Sequence, residues 1–238
     1  MCDRIMKELV NKIRRKWLRM RLQPIRVFCF HQVSDVFNPD TMWECDWTQK
    51  DQFKANILKL KEQYTFISIS EAYEKLQQDT IRCKKYAVLT ADDGWESLKN
   101  ILPWIAEQQI PITLFVNPAY VLGKEIRENN MRELLSDNQL RQLIATYSNI
   151  TIASHGWNHD MTTRMNIDHF LYNVERSINQ LKQYERLLPF FAYPCGRHTC
   201  EQDDILRKNG IIPVYCDGQV NYNDTRRIHR EPIDGQIL

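Results

Sequence analysis

Nothing in this 238-residue chain is repeated or strongly concentrated. It has no low-complexity tract and no internal repeat, so one or two ordinary globular domains are expected. No apolar stretch is long enough to span a bilayer. The N-terminus is basic but lacks the continuous apolar core of a signal peptide. The formal net charge is only +2, which argues against a dedicated nucleic-acid binder. The seven cysteines are odd in number and form no C-x-x-C pair. Free thiols in a reducing cytoplasm are therefore expected. Cys195 and Cys200 stand at the one spacing that invites a disulfide or a metal pair.

Hydrophobic residues make up 43% of the chain, enough for a sizeable core. The first 22 residues stand apart. Arg4, Lys7, Lys12, Arg14, Arg15, Lys16, Arg19 and Arg21 face only Asp3 and Glu8, while Met6, Leu9, Val10, Ile13, Trp17 and Met20 recur at helical spacing. Pro24 ends the pattern. Residues 1–24 thus read as a basic amphipathic helix, and 25–238 as the main domain. The helix can dock on an anionic membrane surface as a peripheral contact, or pack against the domain with its basic face solvated.

After Pro24, short apolar runs alternate with helical patterns about seven times. The runs are 26–30, 65–69, 86–90, 112–116, 150–154, 190–193 and 211–216. Such alternation implies an α/β protein with a parallel sheet covered on both faces. Expected helix caps are Thr48, Ser70, Ser136 or Asp137, and Asn166. A doubly wound sheet and a closed barrel both fit. The barrel is favoured because His31, Asp92, Asp93, Asn117, His155 and Pro194 all end different runs, and only a barrel gathers all strand ends at one mouth.

Two of those ends carry chemistry. Thr90-Ala91-Asp92-Asp93-Gly94 places like charges side by side, which is costly unless a cation binds them. His155 and His159, four apart, follow another strand-like run. Two imidazoles and one carboxylate make a three-ligand set with coordination positions open for water and substrate. Neighbouring side chains on an extended segment point different ways. One aspartate can therefore bind the metal while the other takes a proton from water.

These segments resemble the motifs of the polysaccharide deacetylases (carbohydrate esterase family 4, the nodulation-factor deacetylase homology domain). Thr90–Gly94 resembles T-F-D-D-G, His155–His159 resembles H-[ST]-x-x-H, and Phe191-Ala192-Tyr193-Pro194-Cys195-Gly196 resembles F-x-Y-P-x-G. Phe30-His31-Gln32-Val33 is similar to the Y-H-x-V opening of the same branch. The resemblance runs from about Arg26 to Pro232. It implies a distorted (β/α)7 barrel and hydrolysis of an N-acetyl group on an amino sugar, with release of acetate. It also implies a divalent metal on Asp93, His155 and His159, with Asp92 as the catalytic base. The donor set suits zinc, and other first-row metals can occupy it.

The sequence departs from the family pattern in three places. Ala91 replaces the usual phenylalanine. The arginine that orients the base in many relatives would fall at Ala192, and is missing there. The usual L-x-H supplying the general acid is absent, which leaves His229, within Arg227-Ile228-His229-Arg230, and His31 as candidates. Tyr193, Pro194 and Cys195, with a backbone N–H near Cys195, are candidates for the substrate and oxyanion site. Trp95 and Trp157 adjoin motifs and are candidates for stacking on sugar rings. A cytoplasmic setting points to a lipid- or nucleotide-linked precursor as substrate. Two other readings stay open: a hydrolase of non-sugar amides, and a catalytically weak glycan-binding relative.

Overall fold

The structure, a computed structural model, describes residues 23–39, 44–78, 84–125, 133–223 and 226–235. The expected N-terminal helix, and with it the membrane contact through residues 1–22, lies outside the described residues. So does Trp43.

The core is a curled parallel sheet. Its strands are β1 (Ile25–Phe30), β4 (Thr65–Phe66), β5 (Tyr86–Ala91), β6 (Ile112–Val116), β7 (Ile150–Ser154), β8 (Leu187–Ala192), β9 (Ile212–Val214) and β10 (Glu231–Pro232). They run in the order β10-β1-β5-β6-β7-β8-β9, with short β4 added beside β5. A ledge of two short strands, β2 (Gln32–Ser34) and β3 (Trp47–Gln49), stands outside this path. The sheet ends nearly meet: β10 pairs with β1, and a bridge joins Ile228, just upstream of β10, to Val214 of β9. The expected distorted α/β barrel is thus present, with a seam held by a few backbone bonds.

Side-chain parity explains the packing. Along β1 and β5, Val27 and Val88 face one buried cluster with Phe115, Ala153, Ala192, Val214 and Ile228, the lining of the curled sheet. Phe28, Phe30, Ala87, Leu89 and Ala91 face a second cluster, built with the helices outside. The chief outer helices are α1 (Lys50–Gln63), α3 (Leu102–Glu107) and α5 (Asp137–Thr146). Helix α2 (Ile69–Gln77) packs Ile69, Ala72 and Leu76 into the inner cluster. Beyond α4 (Pro118–Val121) lie α6 (Ile167–Leu181) and α7 (Cys200–Lys208). These two pack Phe170, Val174 and Leu206 against Phe191, Tyr193 and Tyr215. The same parity that buries Val27 and Val88 turns Cys29, His31, Thr90 and Asp92 toward the inside of the curl.

Ser136 forms a capping box with Gln139, and Asn166 caps α6, as expected. Two other caps differ. Ser68 rather than Ser70 caps α2, because the second apolar run, 65–69, leaves strand geometry after Phe66 and the helix begins at Ile69. Gln49 rather than Thr48 caps α1, because Thr48 is a β3 residue whose hydroxyl accepts from the Gly235 N–H at 2.8 Å.

Candidate active site

Asp92 and Asp93 follow β5 directly. Gly94 at φ 79° completes the turn, and a Cβ there would lie 3.2 Å from Val116 Cγ1, so the turn packs tightly on β6. Asp93 itself has φ 68°, a left-handed conformation that is uncommon for a residue with a side chain. His159 shares that feature at φ 60°. Two strained residues in one site are held there by their surroundings. The loop after β7 is anchored from several sides. Asn117 Nδ2 donates to His155 O at 2.6 Å, Asn173 Oδ1 accepts from Trp157 N at 2.9 Å, and the Ser154 and Ser177 hydroxyls meet at 2.7 Å.

This scaffold brings Asp93, His155 and His159 together, with one ligand atom from each inside a 4.8 Å cluster. Asp93 Oδ1 lies 3.5 Å from His155 Nε2 and 3.3 Å from His159 Nε2. His155 Nδ1 is 2.9 Å from Ala192 O, which assigns the proton to Nδ1 and leaves the Nε2 lone pair facing the cluster. Burial keeps the His155 imidazole neutral by holding its pKa below the ordinary value, against the pull of Asp92 and Asp93. A neutral imidazole with a fixed tautomer is what a divalent metal requires. The donor set therefore fits the implied metal.

Asp92 is held differently. Arg230 is fully buried and grips it with a two-pronged fork: Nη1 donates to Oδ1 at 2.6 Å and Nη2 to Oδ2 at 2.8 Å. Arg230 Nε donates to Tyr215 O at 3.0 Å, and Nη1 also reaches Thr90 Oγ1 at 3.2 Å. Burial, the largest single effect, would raise the Asp92 pKa, but the Arg230 charge and hydrogen bonds together with the His155 and His31 charges outweigh it, and the carboxyl stays below its usual range. The arginine missing at Ala192 is thus replaced in space by one 138 residues from Asp92 in sequence. It sits on the strap that closes the barrel seam, in the Arg227-Ile228-His229-Arg230 stretch rather than in the third motif.

The two histidines proposed as acid fare differently. His31, with its side chain 20% exposed, lines the same cavity as Asp92, Asp93, His155 and His159. Asp234 clasps it twice, Oδ1 accepting from the His31 N–H at 2.9 Å and Oδ2 lying 2.7 Å from Nδ1. Burial works against the His31 imidazolium, but the Asp234 charge and hydrogen bond, with Asp92 and Asp93 behind, push its pKa well above the ordinary value. His229 instead pairs with Asp217 at 2.7 Å and packs edge-on against Tyr215, and it does not line the cavity.

The cavity measures about 280 Å³, and its walls also include Cys45, Asp46, Tyr193, Cys195, Gly196 and Cys216. Tyr193 turns its hydroxyl away to Asp203 at 2.9 Å, and Asp203 also accepts from Tyr215. Cys195 is exposed at the rim, with φ 56°. Pro194 is buried and lies beneath Gly156. Trp95 and Trp157 are corrections to the expected sugar-stacking role. Only 2% and 3% exposed, neither lines the cavity. Trp95 joins the outer core, while Trp157 donates to Glu125 and lies under Arg176, 3.7 Å from its ring centre. Their apolar bulk is consumed by packing. None of the described cysteines is in a disulfide, and Cys195 and Cys200 are not joined to each other.

Residues 79–214 match the polysaccharide deacetylase family, more than half of the chain. The protein belongs to that family, and the expected class, a carbohydrate de-N-acetylase, rests on this membership. The fold is similar to IcaB from Ammonifex degensii, at 22% identity and a TM-score of 0.75, covering 90% of this chain and 94% of that one. It is also similar to the Streptococcus pyogenes deacetylase PplD in complex with acetate, at 20% identity and a TM-score of 0.73, covering 88% and 92%. A de-N-acetylase from Aggregatibacter actinomycetemcomitans matches at 16% identity and a TM-score of 0.70, covering 89% and 95%. No curated protein sequence matches the chain.

Proposed function

We propose that this protein is a metal-dependent hydrolase that removes N-acetyl groups from an amino-sugar glycan or glycan precursor and releases acetate. The observation that carries this reading is the pairing of two differently held carboxylates. Asp93 joins two imidazoles, while its neighbour Asp92 is clamped by Arg230 in the same cavity.

Asp93, His155 and His159 would hold the metal, with zinc the ion best suited to the set. When bound, a divalent ion polarises the acetamide carbonyl and lowers the pKa of water beside it. Asp92 takes the proton of the attacking water. Its fork with Arg230 keeps it ionised and fixes its direction. His31, charged through Asp234, gives a proton to the departing amine. The backbone at Tyr193–Gly196 forms the wall on which the acetyl group rests. Acetate bound to PplD is the product expected here as well.

The test is acetate release from N-acetylglucosamine oligomers by the metal-loaded chain. Activity should vanish with a chelator and return with added zinc. Metal-loaded protein that releases no acetate from any N-acetylated sugar would refute the assignment. Among the described residues no helix is long and apolar enough to cross a membrane. Docking of residues 1–22 on anionic lipid belongs to this proposal. Cosedimentation with anionic vesicles, unchanged on deleting them, would end that part of it.

A further inference from the structure

Two cysteines from distant parts of the chain meet beside the clamp on Asp92. Cys29 Sγ, on β1, lies 3.2 Å from Cys216 Sγ, just beyond β9, although the residues are 187 apart in sequence. Cys29 is fully buried, whereas Cys216 is half-buried and lines the active-site cavity. Neither thiol has a part in the hydrolysis described above. A disulfide of about 2.0 Å needs the sulfurs to close by roughly 1 Å. Contact with Cys29, together with the nearby Arg230 charge, draws the Cys216 thiol pKa below its ordinary value against the effect of burial. The half-buried partner that lines the cavity is thus the more nucleophilic one, and the fully buried partner waits behind it.

We propose that Cys29 and Cys216 form an oxidation site, closed to a disulfide by a small hydroperoxide that enters through the substrate cavity. The Cys216 thiolate attacks one peroxide oxygen, the O–O bond breaks, and the sulfur becomes a sulfenic acid. With hydrogen peroxide, the other oxygen leaves as water. The Cys29 sulfur then attacks the sulfenic sulfur, the S–O bond breaks, and the hydroxide departs as a second water carrying the thiol proton. Two thiols lose two electrons and two protons, and one peroxide is reduced.

Closure has a mechanical consequence. Tyr215, the neighbour of Cys216, supplies the carbonyl that receives Arg230 Nε. On its other side, Cys216 O lies 3.1 Å from where a Cβ on Gly196 would stand, so the strand end and the cavity wall are in close contact. Drawing Cys216 toward β1 therefore moves both the support of the clamp and the wall beside it. This loss of turnover rests on the proposed function; the chemistry of the cysteine pair does not.

The metal-loaded full chain is treated with hydrogen peroxide, alkylated without reduction and mapped by mass spectrometry. The expected result is a peptide containing Cys29 joined to one containing Cys216, lighter by two hydrogens than the separate thiols. Acetate release should fall at least about tenfold, on the scale of a 1 Å displacement of a positioned group, and dithiothreitol should restore it. In Cys29→Ser the oxidation should stop at a sulfenic acid on Cys216, trapped by dimedone. Recovery of both residues fully alkylated, or linkage of Cys216 to Cys45 or Cys195 instead, overturns the proposal. A Cys29–Cys216 link that leaves acetate release unchanged overturns its regulatory part. A reduced enzyme without any acetate release points instead to failure of the deacetylase reading.

Discussion

Replacing Arg230 tests the clamp directly. The guanidinium is fully buried and makes two short bonds to Asp92, one to Thr90 and one to the Tyr215 carbonyl. Arg230→Met removes all four and leaves a buried carboxylate without its cation. Breaking a buried pair from one side costs about 3–5 kcal/mol, a large share of the roughly 5–15 kcal/mol that holds a typical domain together. Urea unfolding should show that loss at neutral pH. The double variant Arg230→Met with Asp92→Asn carries no buried charge at either position, so it should regain part of it. The non-additive part of the cycle should reach about 0.5–3 kcal/mol. Arg230→Lys keeps the charge but loses the planar fork, and should fold while turning over more slowly than the parent. A midpoint for Arg230→Met equal to that of the parent, or strictly additive effects in the cycle, would refute the clamp as the determinant of Asp92.

Other consequences are equally measurable. Asp92→Asn should lower kcat by about 10²–10⁴-fold, the usual worth of a general base, while zinc content measured by atomic emission stays at the parental value because Asp93, His155 and His159 are intact. His31 must be protonated to act as an acid. Since its pKa is raised above the ordinary imidazole value by Asp234, activity should persist to higher pH than an ordinary imidazole would allow and fall as pH climbs through the raised value. Asp234→Asn removes the counter-charge, so the alkaline limb of the kcat/KM profile should move to lower pH; an unmoved limb would clear His31 of this role. Gly196→Ala should destabilise the fold by about 1–3 kcal/mol. Its φ is 65° and the added methyl would meet Cys216 O at 3.1 Å, so an unchanged melting temperature would contradict that crowding.

The parts of this fold legible in sequence are those written in local patterns. β5, β6 and β7 are continuous apolar runs, and each delivers its polar residue at the strand end where the run stops. Asp92, Asp93, His155 and His159 could be read for that reason. Arg230 and Asp234 could not. Each meets a partner far away in sequence, from a segment with little regular structure, and only the pairing of β10 with β1 brings them within reach. The third motif offers no arginine at Ala192, and the clamp on Asp92 comes from a different segment of chain. The one available signal was the Arg-Ile-His-Arg stretch, which carries both a histidine candidate and the arginine that the site uses. Trp95 and Trp157 misled in the opposite sense. Proximity to a motif in sequence says nothing of the face a ring presents, and both rings were taken up by the interior.

The strap that closes the seam carries a further implication for how this protein comes into being. The three proposed metal ligands all lie at or before residue 159, whereas the group that orients Asp92 lies at residue 230, on the strap. A chain clipped before the strap keeps all three proposed ligands and yet has no directed base. Competence thus depends on completion of the barrel, and hydrolysis is withheld until the two edges of the sheet have found each other.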